Sequence, residues 1–506
     1  MPRCAHAHHI TDIRNGMSTS TATTILDVMT TSTETAQHCT PRTATHAILA
    51  GITRVLDIGA PPIRSSATIV GSDPLVPSPH RLADATSAAI AAFGLQIAGV
   101  AEDAGGDPQT VTVRARDAID QLRATYISTI SGVSPTHMTE DPRALGNNDF
   151  YRCREGRWIF LITTYAGLRD AVCDVLNCPP FPDRIAEAVS HWDAFALENA
   201  VCAAGGVCAV VRSAEEWRAS EPGRHLLGRD VIEIAPIAAS ARQPVTVADS
   251  AAPLGGLRVV DLTHVIAGPV STRLLAAFGA DVLHVSRPDY PDPNIMVAMT
   301  GGGKRNAFAD LRDPQQDRRF RDLCAASDVF VSSYRGMERR GYDADTLAAA
   351  HPGIIVCEYH CWGADGPWAD RGGFDQLACS STGFALTEGM AGPPSLPPTY
   401  LLNDYLAAYL GAAGIVAALR RRAVHGGSWR VRIDLAQVCM WVQDQGLFDP
   451  AEIADLPRPD HPEVDMVRVG SPFGEIVEPA LPLTFSAAPT PRWGVPSLLG
   501  SSNLSW

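Results

Sequence analysis

Strand-like and helix-like segments alternate between residues 253 and 367, and this pattern restricts the fold more than any other feature of the chain. Short, mostly apolar runs typical of buried strands are separated by helical patterns that begin near Val270, Gln315 and Asp343. The strand-like runs cover residues 257–263, 282–286, 306–310, 328–332 and 354–359. The alternation predicts the α/β class, with a doubly wound, Rossmann-like parallel sheet.

Basic side chains follow several of these strands. Ligands of doubly wound sheets lie off the carboxyl ends of the strands. In those positions the sequence has the turn His264–Pro269 and the cations Arg287, Lys304, Arg305 and Arg335. Several cations at one edge of a sheet predict a ligand that carries phosphate groups.

The run Gly301-Gly-Gly-Lys resembles a phosphate-binding loop but lacks its spacing. Arg305 and Asn306 follow Lys304, where the phosphate loop requires Ser or Thr directly after the lysine. The first strand is also not followed by Gly-x-Gly-x-x-Gly. These two observations argue against a nucleotide triphosphatase and against an ordinary NAD enzyme.

Residues 401–422 predict a long helix that is buried on every side, because Tyr405–Leu419 are apolar or small around the whole circumference. Three arginines occupy its last turn, where cations favour the helix dipole, and His425-Gly426-Gly427 ends it. Asp404, near its start, has the residue type of an N-cap. Asp404 is therefore either a cap alone or an ionised carboxylate at the positive end of a helix, available as a nucleophile.

A second copy of this segment lies 320 residues upstream. Asp84 corresponds to Asp404 (404 − 84 = 320), and at the same offset Gly94 corresponds to Gly414. Alternating strands at residues 109–114 and 429–434 follow the two helices, and each leads into another helical pattern. The shared order of helix, strand and helix indicates a duplication. We expect Asp84 to be a structural cap.

Composition narrows the functional classes. The net charge of −14 argues against general nucleic-acid binding, and no segment reads as a membrane span or a signal peptide. The 12 cysteines include no Cys-x-x-Cys pair, and Cys357 and Cys361 flank His360 without a second pair to complete a metal set. We therefore expect buried thiols in a reducing, cytoplasmic compartment and no metal site.

Four regions are expected from these patterns. Residues 1–80 read as a disordered tail and linker, because the first 45 are rich in Thr, Ser and His and prolines follow. Residues 81–250 contain the upstream copy and a smaller α/β domain, which opens with a hairpin turning near Glu155-Gly156. Residues 253–445 form the Rossmann-like domain, and residues 446–506 close the chain.

The segment from Pro253 to Pro269, Pro-Leu-Gly-Gly-Leu-Arg-Val-Val-Asp-Leu-Thr-His-Val-Ile-Ala-Gly-Pro, resembles the opening of the family III CoA-transferases. Further matches follow in the family's order: Leu275-Ala-Ala-Phe-Gly-Ala-Asp, Gly303-Lys-Arg, Ser327-Asp-Val-Phe-Val-Ser-Ser-Tyr-Arg, Gly372-Gly-Phe-Asp and Asn403-Asp-Tyr. The resemblance is dense over residues 253–445, and residues 84–250 resemble a partial copy of the family's later half. It implies an enzyme that binds no permanent cofactor and uses coenzyme A or acyl-CoA and a carboxylic acid as substrates.

The resemblance assigns roles to individual residues. Asp404 matches the catalytic aspartate, which attacks the acyl-CoA thioester and forms covalent intermediates. His264, Val265, Ile266 and Ala267 match the turn that holds CoA. Arg287, with Lys304 and Arg305, matches the phosphate side, and Ser333 and Tyr334 match the pair at the adenine. The family's dimers are interlocked rings, so the resemblance implies a homodimer, and a duplicated chain could build part of that arrangement within one subunit.

Two departures from the family pattern bear on activity. Phe374 stands where the family's racemase branch has a histidine, which favours CoA transfer over racemisation, although Asp375 beside it is another possible base. Asn403 replaces the glycine that usually precedes the aspartate, and Asn tolerates unusual backbone angles. Three hypotheses stay open at this point: a CoA-transferase, an acyl-CoA racemase or epimerase, and a CoA-binding subunit without turnover.

Overall fold

The computed structural model describes residues 41–135, 147–459, 462 and 464–506. Within them, the strands β1 to β16 are, in chain order, Ser66–Val70, Thr110–Arg114, Thr129–Ile130, Phe150–Arg152, Trp158–Leu161, Cys208–Val210, Glu233–Ala238, Arg258–Leu262, Asp281–Ser286, Arg305–Phe308, Val329–Ser332, Ile355–His360, Ser428–Asp434, Met466–Ser471, Gly474–Pro479 and Leu483–Phe485.

The α-helices in the same residues are numbered α1 to α18. In chain order they are Pro41–Leu56, Leu82–Asp103, Ala115–Leu122, Ala124–Ile127, Ala166–Leu176, Pro182–Val189, Ala194–Ala203, Ala214–Ala219, Glu221–Leu226, Ala267–Ala277, Asn294–Thr300, Pro314–Ala325, Ala344–Ala350, Asp375–Ser381, Phe384–Glu388, Asn403–His425, Leu435–Gln443 and Pro450–Ile453.

The predicted doubly wound sheet is confirmed. Seven strands form one sheet in the order β10-β9-β8-β11-β12-β13-β7, and all neighbours are parallel except the last pair. The chain leaves β8 toward β9 and β10 on one side and returns to β11, β12 and β13 on the other. The strand order therefore reverses between β8 and β11, which is where ligands of such sheets bind.

The duplication is visible in the structure. α2, β2 and α3 repeat the order of α16, β13 and α17 at the predicted offset, and the two long helices α2 and α16 pack against each other in the core. In each copy a glycine of the helix lies where the helix packs closely on the strand. A Cβ on Gly94 would lie 2.6 Å from Cγ1 of Val111, and one on Gly414 would lie 2.7 Å from Cγ1 of Val431. Both copies therefore depend on the same close contact between helix and strand.

The two repeats exchange strands. β7, which follows the first repeat, pairs with β13 of the second, and β16, which follows the second repeat, pairs with β2 of the first. In both places the added strand is antiparallel and lies beside a parallel pair, β12–β13 or β1–β2. The two halves of the chain are thus linked by strand pairing; the homodimer and its interlocked rings stay predictions.

The predicted smaller α/β region forms a lobe with a core of its own. We call residues 147–226 the small lobe; it contains the sheet β4-β5-β6 and helices α5, α6 and α7. The expected hairpin near Gly156 is present as β4–β5. Trp217 anchors the lobe to the second repeat, because its ring lies 5.9 Å from that of Trp362 and 5.6 Å from that of Trp368.

The sequence was wrong about residues 46–80, which it read as part of a linker. They contain most of α1 and all of β1. Ile48, Ile52 and Leu56 recur at the spacing of one helix face and are buried against α2. The expected disorder of the first 45 residues falls almost entirely outside the described residues.

The triple-glycine run has a structural use. Gly302 forms a β-bridge with Pro496, and a Cβ on Gly494 would lie 2.5 Å from Cα of Gly303. The run therefore lets the closing segment of the chain approach its backbone, in agreement with the sequence argument against a phosphate loop.

The helix α2 corrects the expectation that no segment reads as a membrane span. Leu82–Asp103 is long and apolar enough to cross a membrane, but the whole of its most apolar 18-residue window is buried inside the protein. Its composition is explained by burial on every side in the core.

Candidate active site

A cavity of about 350 Å³ lies at the point where the strand order reverses. Three segments of the second repeat line it: the turn after β8, the loop after β11, and the segment from Tyr359 to Phe374. Asp404 at the start of α16 and three small-lobe residues, Tyr165, Leu168 and Val207, also line it, together with Tyr290 and Leu435. The cavity is therefore formed jointly by the second repeat and by the lobe that follows the first.

The turn after β8 and the loop after β11 are held together at the cavity. The His264 N–H donates a hydrogen bond to Ser333 Oγ at 3.2 Å, and the rings of His264 and Tyr334 stack with centroids 4.7 Å apart. Burial lowers the pKa of His264, so its ring is neutral at neutral pH. The pair offers a flat, uncharged surface that suits stacking with another ring.

The amino end of α10 opens onto the same cavity. Ala267 and Gly268 line it, and no side chain caps the helix. Val265, also in the lining, has φ +69°, which is unusual for a β-branched residue. A strained turn that directs a helix amino terminus into a cavity is suited to an anion.

Asp404 does not cap α16. Leu402 is the N-cap residue, and the carboxylate of Asp375 performs the capping from another segment. Its Oδ2 accepts hydrogen bonds from the N–H groups of Leu402 and Asp404, each at 3.0 Å. Asp404 is left with a carboxylate that makes no hydrogen bond or ion pair to any described residue, although the residue is only 9% exposed.

The ionised state expected for Asp404 is not what its surroundings favour. Burial and the nearby Asp375 carboxylate raise the pKa of Asp404 well above its ordinary value. Burial likewise raises the pKa of Asp375 to about 6, although the backbone N–H groups it accepts act in the opposite direction. Ionisation of either carboxylate thus disfavours ionisation of the other.

The corresponding carboxylate of the first repeat has different surroundings. Asp84 accepts a hydrogen bond from Thr45 Oγ1 at 2.5 Å and pairs with Arg81 at 3.3 Å. Asp73 acts as Asp375 does, because its Oδ2 accepts the Asp84 N–H at 2.9 Å. Asp84 is not a cap, since Arg81 is the N-cap residue, but the expectation of a structural role agrees with these partners.

Three of the predicted ligand cations do not line the cavity. Lys304 is buried, with its Nζ 2.8 Å from Asp261 Oδ2 and 2.6 Å from the Pro269 carbonyl oxygen. Arg305 begins β10, at the amino edge of the sheet, where it pairs with Asp281. Arg287 does follow β9 but is exposed and paired with Asp289. Spacing alone did not give the direction of the Lys304 and Arg305 side chains; a phosphate contact by either of them, or by Arg287, stays a prediction.

Other site residues were missed or misread. The lining contributed by Tyr165, Leu168 and Val207 could not be read from a region without a catalytic motif. Asn403 takes an ordinary helical conformation, and its side chain donates to the Asp375 carbonyl oxygen at 3.3 Å. Phe374 lies in the cavity lining, as its position before Asp404 suggested.

Large parts of this sequence are similar to known proteins. The family described as CoA-transferase family III matches residues 67–225 and 254–498, which together make up well over half of the chain. An acetyl-coenzyme A transferase of Hypoxylon pulicicidum is 34% identical over 54% of this chain and 49% of its own length. An acyl-CoA transferase of Gibberella moniliformis is 30% identical over 52% and 48%.

A bacterial relative matches a shorter segment. The alpha subunit of a succinyl-CoA–L-malate CoA-transferase of Chloroflexus aurantiacus is 30% identical over 39% of this chain and 51% of its own. The chain thus spans about half the length of the curated relatives it matches. Among solved structures, Rv3272 of Mycobacterium tuberculosis is 26% identical over 45% of this chain and 63% of its own, with a TM-score of 0.36.

Proposed function

Because the chain belongs to CoA-transferase family III, we propose that it moves CoA from an acyl-CoA thioester to a carboxylic acid and that Asp404 forms the covalent intermediates. One observation carries the proposal. The Asp404 carboxylate faces a cavity and has no partner among the described residues, whereas its counterpart Asp84 is held by Thr45 and Arg81. A buried carboxylate without partners is costly to keep and is typical of a reacting group.

The first step forms an anhydride. An Asp404 oxygen attacks the thioester carbonyl carbon, a C–O bond forms, the C–S bond breaks, and CoA departs as a thiolate. The thiolate then attacks the Asp404 carbonyl carbon and releases the donor acid, which leaves an aspartyl-CoA thioester. The acceptor carboxylate attacks that thioester, CoA thiolate departs again, and its attack on the acceptor carbonyl yields the new acyl-CoA and free Asp404.

The walls of the cavity suit CoA. We assign the adenine to the stacked rings of His264 and Tyr334 and the pyrophosphate to the uncapped amino end of α10 at Ala267 and Gly268. Arg335 also lines the cavity and adds a cation to that side. Relatives that act on succinyl-CoA, malate and acetyl-CoA by name make small acids reasonable first substrates to test.

Racemisation needs a base on each face of the α-carbon, and Phe374 supplies none where the racemase branch has histidine. Transfer needs only one nucleophile and two substrates. Uptake of solvent deuterium at the α-carbon of a single acyl-CoA, without an acceptor acid, would favour a racemase.

Intact mass spectrometry tests the proposal directly. The protein is incubated with acetyl-CoA, succinyl-CoA or formyl-CoA, and covalent adducts are counted before and after hydroxylamine. We expect one hydroxylamine-sensitive adduct per chain on the wild type and on the matched control Asp84→Asn, and none on Asp404→Asn. An adduct that persists on Asp404→Asn, or none on the wild type with any donor despite measurable CoA binding, would contradict the proposal.

A further inference from the structure

Tyr165 belongs to the small lobe but lies in the cavity of the second repeat. It is the N-cap residue of α5, and its ring lies against that of Phe374 with centroids 6.2 Å apart and planes 28° apart. Both rings line the cavity that contains Asp404. The lobe that follows the first repeat therefore brings an aromatic hydroxyl to the candidate nucleophile.

The hydroxyl of Tyr165 is not used by the fold. It makes no hydrogen bond in the part of the chain that the structure describes. Three buried tyrosines are paired: Tyr405 is 2.7 Å from Thr125 Oγ1, Tyr409 donates to Gln121 at 3.2 Å, and Tyr151 donates to the Asn147 carbonyl oxygen at 2.9 Å. The buried hydroxyl of Tyr359 is unpaired, but it lies against Gly411 of α16. Tyr165 is half-buried at the cavity, so its unpaired hydroxyl is available to a ligand.

Tyr165 remains a donor in this environment. Burial raises its pKa, and the nearby carboxylates of Asp292 and Asp404 raise it further. The phenol is therefore protonated throughout the neutral range, and its O–H can donate a hydrogen bond to a ligand.

The backbone near Asp404 lacks free donors for the reaction. The N–H groups of Leu402 and Asp404 itself are engaged by Asp375. Attack on a thioester places negative charge on the carbonyl oxygen, which needs a donor that is fixed in advance. The uncapped amino end of α10 is already assigned to the pyrophosphate, and a side chain of the cavity lining can supply the donor instead.

We propose that the Tyr165 hydroxyl donates a hydrogen bond to the thioester carbonyl oxygen while Asp404 attacks, and that it is a catalytic residue supplied by the small lobe. The inference rests on the proposed function. As the C–O bond to Asp404 forms, the carbonyl electron pair moves onto oxygen, and Tyr165 stabilises that charge without giving up its proton. The pair returns as the C–S bond breaks, and CoA leaves as a thiolate.

The test compares Tyr165→Phe with Tyr151→Phe. The control loses a hydroxyl of the same lobe that bonds to the backbone away from the cavity. The rate of adduct formation is measured by quenched-flow mass spectrometry with the best donor, and affinity for CoA by calorimetry. Loss of one oxyanion donor costs roughly 100-fold in rate, so we expect Tyr165→Phe to slow acylation by about that factor with unchanged CoA affinity, and Tyr151→Phe to leave both near wild type.

The outcomes separate this inference from the proposed function. Full-rate acylation by Tyr165→Phe, with none by Asp404→Asn, overturns the role of Tyr165 alone. An adduct on Asp404→Asn overturns both. If Tyr165→Phe does not fold, 3-fluorotyrosine at position 165 replaces it: a more acidic phenol should change the acylation rate, and an unchanged rate overturns the inference.

Discussion

Arg420 joins the long helices of the two repeats, and its substitution measures how much that contact stabilises the folded protein. It lies in the last turns of α16 and is 1% exposed. Its guanidinium donates to Asp103 at 2.7 Å, to Gln96 Oε1 at 3.1 Å and to the Pro61 carbonyl oxygen at 2.7 Å, all on or beside α2. Arg420→Met keeps most of the side-chain volume and removes every one of these bonds.

The cost can be built from the contacts. Two acceptors lose their donor: Gln96 Oε1, which is buried, and the Pro61 carbonyl oxygen, which is partly buried. Each such loss costs about 1–3 kcal/mol, with Pro61 at the low end of that range. The Asp103 side chain is 24% exposed and regains water, so its share is small. We expect a total of about 3 kcal/mol. An unfolding entropy of about 2.1 cal/mol/K per residue gives roughly 1 kcal/mol/K for the unit 41–506, and hence a fall in Tm of about 3 °C.

Differential scanning calorimetry measures the shift. The matched control is Arg64→Met, because Arg64 pairs with Glu102 near the same end of α2 but its side chain is 61% exposed. Glu102 keeps hydrogen bonds from the backbone N–H groups of Arg64 and Ser65 and from Ser65 Oγ. Loss of the exposed guanidinium therefore costs below about 1 kcal/mol, so the Tm of this variant should fall by less than about 1 °C. If Arg420→Met lowers the Tm no more than Arg64→Met does, the buried hydrogen bonds of Arg420 do not stabilise the pairing of the repeats.

Two further predictions concern the acidic pair and the glycine contacts. Asp375→Asn removes a charge that helps raise the pKa of Asp404, so the acidic limb of kcat/KM should move to lower pH; an unmoved limb would contradict the coupling. The pKa of Asp375 rises from 3.8 to about 6 on folding, so ionising it costs stability as pH rises through that window. The variant should lose less stability there, measured by denaturant titration at each pH. Gly414→Ala places a methyl against the facing valine, and overpacking of about 1–3 kcal/mol should exceed the helix-propensity gain of about 1 kcal/mol. Replacing the facing Val431 by Ala in that variant should restore stability, and Gly94→Ala should lower stability in the same way.

The features that repeat along the chain were predictable, and the ones that depend on side-chain direction were not. Periodicity was enough for the parallel sheet, the two long helices and the duplication. The motif around Asp404 led to the proposed nucleophile, and the turn from His264 lies in the same cavity as Asp404. Each of these is a property of spacing or local pattern.

The capping of α16 shows why the remainder was missed. An Asp near a helix start is usually its own cap, so Asp404 was assigned that option. The cap came instead from Asp375, 29 residues earlier in the chain, because α14 begins beside α16 in the folded protein. The ion pair of Lys304 was missed for a related reason: its partner Asp261 lies 43 residues away, and the contact depends on how the strands are ordered.

The exchange of strands between repeats has a consequence for how the protein is made. Synthesis proceeds from the amino terminus, and α2 ends at Asp103 while its partner α16 begins 300 residues later, at Asn403 (403 − 103 = 300). At about 5–20 residues per second, a ribosome needs roughly 15–60 s to cover that distance. During that time α2, a helix as apolar as a membrane span, is covered only by elements close to it in the chain, such as α1, and the face that packs on α16 stays exposed. β7 likewise lacks its pairing partner β13. We therefore expect the first half of the chain to finish folding only after the second half has left the ribosome.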